Sequence, residues 1–288
     1  MEIKETLSER CDMINIQKSR LTVIMTLILS LLALYASLAG VLDKNLYTNV
    51  FLAGSLSKSL ISGSLAQDTI SIPLSLILAV LSLVFLKHPG YKTFIAILGL
   101  TGYFFYGYGL YAMQGQYTSI YLIYLAVFGL SIYSMIWGLT SFEPDAVKQN
   151  RLPGALRMSI GIFLIVILLI LVPVWLLRIT PDIAKHIPGD TYAVFILDLC
   201  VVFPAFGIIA AKLLRNKPFG NILAGVALFK TLTICLSVAF GEWFVPLREG
   251  FQVDYGMITI FSALTLFSFA LAVLYLLNLK KEKLLSGR

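Results

Sequence analysis

The chain has 288 residues, of which 59% are hydrophobic and only 13% charged, and its mean hydropathy is +0.90. A soluble domain carries about a quarter charged residues, so this composition excludes the soluble class and indicates an all-α protein that spans lipid. The net charge of +7 is not a nucleic-acid signature, because the basic residues fall in short connections between apolar stretches, where insertion topology accounts for them.

Residues 1–20 mix acids (Glu2, Glu5, Glu9, Asp12) with bases (Lys4, Arg10, Lys18, Arg20) and read as a short cytoplasmic tail or surface helix. The first apolar span runs from Leu21 to Leu42. A signal peptide is the competing reading, with Ser37-Leu38-Ala39 as small residues before Gly40; four acids upstream and the long apolar run favour a retained helix. Residues 43–68 have an apolar middle, Val50 to Leu65, with many Ser and Gly, which suits a surface-lying or re-entrant helix better than a span and leaves all three open. The second span (Thr69 to Phe85) carries Pro73 and ends in the basic turn Lys87-His88-Pro89-Gly90. The third (Thr93 to Met113) turns through Gln114-Gly115-Gln116 into the fourth (Tyr117 to Leu139).

A basic linker, residues 141–157, leads into the fifth span, Met158 to Leu177, with a kink expected at Pro173. The sixth (Thr191 to Leu214) and seventh (Phe219 to Phe240) form a hairpin about Arg215-Asn216-Lys217-Pro218, and the eighth runs from Gly256 to Leu277 before a basic tail, 279–288. With both termini inside, inner segments hold 16 of the 22 Lys and Arg residues, and outer loops hold five: Lys44, Lys58, Arg178, Lys185 and Arg248. That bias places both termini in the cytoplasm.

The two sets of four spans, 21–140 and 158–278, share a pattern. Asp68 precedes Pro73, a basic turn and Gly90; Asp198 precedes Pro204, a basic turn and Gly220, with 22 residues from acid to glycine in both. Four spans is an even number, so the halves would be parallel repeats about an axis along the membrane normal. Coincidence is the alternative, since apolar helices joined by basic Pro-Gly turns look alike.

Two ionisable residues stand inside spans, Asp198 in the sixth and Lys230 in the seventh, where each costs several kcal/mol. Folding the hairpin at 215–217 leaves Lys230 about one turn, on the order of 5 Å, from the level of Asp198. A pair that protonation or substrate could break and a purely structural ion pair are both open. Asp68 occupies the equivalent place near the outer end of the second span, or caps that span. Tyr103, Tyr106, Tyr108 and Tyr111, then Tyr117, Tyr121, Tyr124 and Tyr133, crowd the third and fourth spans. They suit a polar vestibule, interfacial anchors or interhelix hydroxyl bonds. Asp198, Lys230, Asp68, Tyr106 and Tyr121 are therefore the candidate solute- or ion-binding residues. Cys11, Cys200 and Cys235 form no CxxC, and no Walker loop, HExxH, GxSxG or DxD occurs, so neither a cofactor nor a catalytic site is expected.

The segments LAQDTISIPLSL (65–76), GYFFYGYGLYAM (102–113), LDLCVVFP (197–204) and KPFGNILAGVALFK (217–230) resemble a family of bacterial multi-spanning membrane proteins with no assigned function. The resemblance covers spans two to four and six to seven, roughly half the chain. It implies a bacterial or archaeal cytoplasmic membrane and transfers no residue roles. The expectation is therefore an eight-helix membrane protein that binds or passes a small solute or ion between its halves. The alternative is a non-transporting sensor or accessory subunit in which the charges are structural. The bilayer is the one partner expected; nucleic acid is not, and the oligomeric state is left open.

Overall fold

The computed structural model describes residues 13–54, 56–149 and 151–279, so Cys11, most of the expected N-terminal tail and nearly all of the C-terminal tail lie outside the described residues. Among the described residues the regular structure is helical, apart from one isolated bridge between Ile14 and Phe142 that straps the start of the first helix to the linker. In chain order the helices are α1 (Ile16–Leu42), α2 (Lys44–Leu52), α3 (Lys58–Lys87), α4 (Tyr91–Met113), α5 (Tyr121–Leu139), α6 (Pro144–Gln149) and α7 (Gly154–Lys185). There follow α8 (Tyr192–Leu197), a π-helical turn (Asp198–Val202), α9 (Phe203–Leu214), α10 (Pro218–Glu249) and α11 (Tyr255–Asn278). Counting α8 to α9 as one rod, eight of these are long and apolar enough to cross a membrane, so the chain is a multi-pass helical bundle.

Three rods are longer than their apolar runs suggest. The segment expected to re-enter or lie on the surface forms the short helix α2 followed by the first turns of α3, which Ser57 caps through the Leu60 amide. Asp68 is thus a mid-helix residue and caps nothing. Helix α7 continues past Pro173 and Pro181 to Lys185, and α10 continues past Pro246 until Gly250 closes it in the left-handed conformation (φ 76°). At 1.5 Å per residue, rods of 30 to 32 residues are about 45 to 48 Å long, against a hydrocarbon core of about 30 Å. All three overhang at the end of the bundle opposite the termini.

Helices α1 and α3 meet along a seam of small residues. On α1 the buried positions Ser19, Thr22, Thr26, Leu29, Ala33, Ala36 and Gly40 alternate steps of three and four, as do Ser64, Asp68, Ser71, Ser75, Leu78, Ser82 and Phe85 on α3. A 3.5-residue period is that of left-handed antiparallel packing, and small side chains let two backbones approach where lipid supplies no hydrophobic drive. The Thr26 and Ser82 hydroxyls are 3.2 Å apart. Fourteen residues from Thr26 is Gly40, and fourteen back from Ser82 is Asp68, and these two also face one another.

Helix α4 is the centre of the bundle. It is the least apolar span (hydropathy 1.3, against 1.9 to 3.2 elsewhere) and by far the most enclosed. The two facts belong together, because a helix surrounded by protein can carry hydroxyls where a lipid-facing one cannot. It packs on α3, α5, α8 and α10. Tyr103 reaches Ser71 (2.9 Å), Tyr108 the Ala33 carbonyl (3.0 Å), and Tyr111 both Asp68 (2.9 Å) and the Ser64 carbonyl (3.0 Å). Three of the α4 tyrosines therefore bond between helices.

The remaining contacts follow a regular pattern. Helix α1 packs on α3 and α5, α3 on α4, and α4 on α5; correspondingly α7 packs on α9 and lightly on α11, α9 on α10, and α10 on α11. Across the two sets, α10 meets α4 and α3, while α8 meets α4. At the terminal end, Lys92 donates to the Leu276 carbonyl (2.7 Å), placing a cation on the last turn of α11. Lys92→Gln is expected to cost about 0.5 to 1 kcal/mol, read as a small drop in unfolding temperature in detergent.

Candidate functional site

The π-turn builds the site. Pro204 has no N–H for the Cys200 carbonyl, and its ring would crowd that carbonyl in a regular helix. The chain relaxes into the wider turn, in which the Phe203 amide bonds the Asp198 carbonyl five residues back. Such turns concentrate at functional sites because they re-aim side chains.

Asp198 is 7% exposed and accepts a 2.6 Å hydrogen bond from the Trp175 indole on α7. The Tyr106 hydroxyl on α4 faces the same carboxylate. Lys230, from the middle of α10, runs its stem over Gly102, where an added Cβ would fall 3.2 Å from Lys230 Cγ. Its ammonium lies 4.7 Å from the Tyr106 ring centroid and 5.4 Å from that of Phe206, a cation held against π faces. Asp198 and Lys230 lie close enough to interact electrostatically but not in direct contact. Among the described residues the one ion pair within 4.0 Å is Lys148 with Asp145 (2.7 Å), at the surface, where the lysine holds the Asp145 carboxyl below its ordinary range.

These groups line a cleft of about 490 Å³ between α3 and α4 on one side and α7 to α11 on the other. Its walls are mainly apolar, with Leu171, Val202, Phe203, Phe206, Ile234 and Phe261 among them. A volume of this size suits a small organic molecule, with a few convergent polar groups to orient it. Toward the overhanging end Arg178, stacked 5.5 Å from the Trp175 ring, and Glu242 add a second pair of opposite charges.

Of the five sequence candidates, the cleft brings together Asp198, Lys230 and Tyr106. Asp68 is elsewhere, 1% exposed behind α3, taking hydroxyl hydrogens from Tyr47 (2.6 Å) and Tyr111 (2.9 Å). Tyr121 donates to the Ala112 carbonyl (2.9 Å) and stacks on Tyr117 at 4.3 Å, joining the α4–α5 turn rather than the cleft. Cys235 lines the cleft and Cys200 is exposed, so they form no redox pair. Trp175 and Arg178 went unrecognised in the sequence because they look like interfacial residues at the end of an apolar run; only their three-residue spacing, one helical face, hinted at a joint role.

A scan against family models, a search of curated proteins and a search of solved structures each return no match, so the chain's own geometry carries its functional reading.

Proposed function

We propose that the chain binds a small solute in the cleft, with Lys230 and Asp198 as the polar anchors and Tyr106 between them, and that this site serves passage across the membrane. The observation that carries the reading is two opposite charges on one cleft wall without a direct ion pair. Each retains capacity for a ligand group, and the apolar walls suit the rest of the molecule. A purely structural pair would gain most from contact, since only close geometry offsets desolvation.

Two further features support a transporter-like plan. The neighbour pattern of the first four spans recurs in the last four, and the cross-contacts α3 with α10 and α8 with α4 exchange when the halves are swapped. That is what two parallel repeats related by a pseudo-two-fold axis would give. We place both termini in the cytoplasm, on the 16-to-5 distribution of Lys and Arg between the two ends.

The test begins with a thermal-shift screen of purified protein against small organic anions, cations and zwitterions. A ligand found this way should lose at least about tenfold in affinity with Lys230→Met and with Asp198→Asn, given about 1.4 kcal/mol per tenfold. Unchanged affinity in both variants would remove the cleft from consideration. It would leave the accessory-subunit reading, in which the same charges only orient helices.

A further inference from the structure

A second cavity, of about 620 Å³, opens at the overhanging end between the last turn of α1, α2, the first turns of α3 and the last turn of α10. It shares no lining residue with the cleft above. Three cations from three different helices converge on it: Lys44 of α2, Lys58 of α3 and Arg248 of α10. Among the described residues none of them has a carboxylate within 4.0 Å.

The two acids on the rim are already engaged. Asp43 caps α2 by accepting from the Asn45 amide at 2.9 Å, and Glu249 accepts the Ser62 hydroxyl, tying α10 to α3. Lys44 and Lys58 are also the first residues of their helices, and neither helix has an acid in its first turn. Cations there oppose the helix dipole, whose positive end favours anions. Three cations thus share the lining with two hydrogen-bonded carboxylates, leaving an excess of positive charge without an ion pair among the described residues, at the end of the bundle that holds the fewer basic residues.

We propose that this cavity binds a phosphate-type anion, one charged group bridging Lys44, Lys58 and Arg248. Arginine offers a planar fork to two phosphate oxygens, and the two ammonium groups act as point charges on the rest. The group could come from a free solute or from a lipid headgroup at the membrane surface. The chemistry recognised is the same.

The full-length protein in neutral detergent is titrated with inorganic phosphate against potassium chloride at matched ionic strength, and separately with phosphatidylglycerol against phosphatidylcholine. The expected result is a rise in unfolding midpoint of about 2 to 4 °C with one of them, abolished in the triple variant Lys44→Gln, Lys58→Gln, Arg248→Gln. A response to phosphate identifies a free-anion site; a response to phosphatidylglycerol alone identifies a headgroup site. Lys185→Gln, an exposed lysine lining neither cavity, should keep the full response. The three substituted residues are exposed, so the triple variant folds, and its unliganded midpoint verifies this. No response to either ligand in the wild type, or an equal response in the triple variant, overturns the proposal.

Discussion

Gly40→Ala is expected to destabilise the protein by about 1 to 3 kcal/mol, the range for forcing an extra methyl into a packed seam. The added Cβ would fall 1.9 Å from Asp68 Oδ2 and 2.8 Å from its Cγ, deep inside van der Waals contact. Asp68 has little room to retreat, because Tyr47 and Tyr111 hold its two oxygens and the α1–α3 register fixes its helix. Relief must come from separating the two rods, which loosens every small-residue contact toward Thr26 and Ser82. Asp68→Ala alone removes the acceptor of the Tyr47 hydroxyl, while Tyr111 retains the Ser64 carbonyl, and should cost about 1 to 3 kcal/mol through the unsatisfied buried donor. The double variant removes the clash, so its loss should fall short of the sum of the single losses by about 0.5 to 3 kcal/mol. Unfolding temperature in detergent and membrane abundance measure this cycle; strict additivity would show that Gly40 and Asp68 are not in contact.

This contact also marks the limit of what the sequence disclosed. The eight spans, their order and the even topology follow from apolar runs and turn chemistry, and the structure has all of them. Rod lengths were less legible, because hydropathy reports the part of a helix in contact with lipid. The turns of α3 before Thr69, of α7 after Leu177 and of α10 after Phe240 stand beyond it, in segments whose Ser, Pro and charged residues resemble loops. The three-and-four spacing of small residues on α1 and α3 was present in the sequence and would have placed Asp68 on the seam. At the cleft, folding the sixth and seventh spans about residues 215–217 brings Asp198 and Lys230 near one another, but the π-turn that aims the acid at Trp175 follows from Pro204 only once the helix is seen to continue through it. Asp68 and Asp198 differ in their surroundings. Asp68 faces a glycine and is sealed by hydroxyls, whereas Asp198 faces a tryptophan and opens on a cavity.

Asp198→Asn and Lys230→Met are expected to differ in cost although they remove one charge each. The amide introduced by Asp198→Asn keeps a carbonyl oxygen for the Trp175 indole, so the variant subtracts little but charge. It leaves the Lys230 ammonium in a mainly apolar cleft against the faces of Tyr106 and Phe206. A cation–π contact supplies about 0.5 to 2 kcal/mol, less than the several kcal/mol of a desolvated cation, so a loss of about 2 kcal/mol is expected, moderated by water in the cleft. Lys230→Met retains the aliphatic stem over Gly102, and Asp198 keeps its donors on Trp175 and Tyr106, so a loss of about 1 kcal/mol or less is expected. The double variant removes the stranded ammonium and should therefore be more stable than Asp198→Asn alone. Unfolding temperatures of the four proteins under one detergent decide the order. If Lys230→Met were the more damaging, the lysine would be the anchor of the local packing, and its place as an available ligand group would be lost. If the expected order holds while both single variants lose solute affinity, the same two charges are held apart by the fold and joined by what they bind.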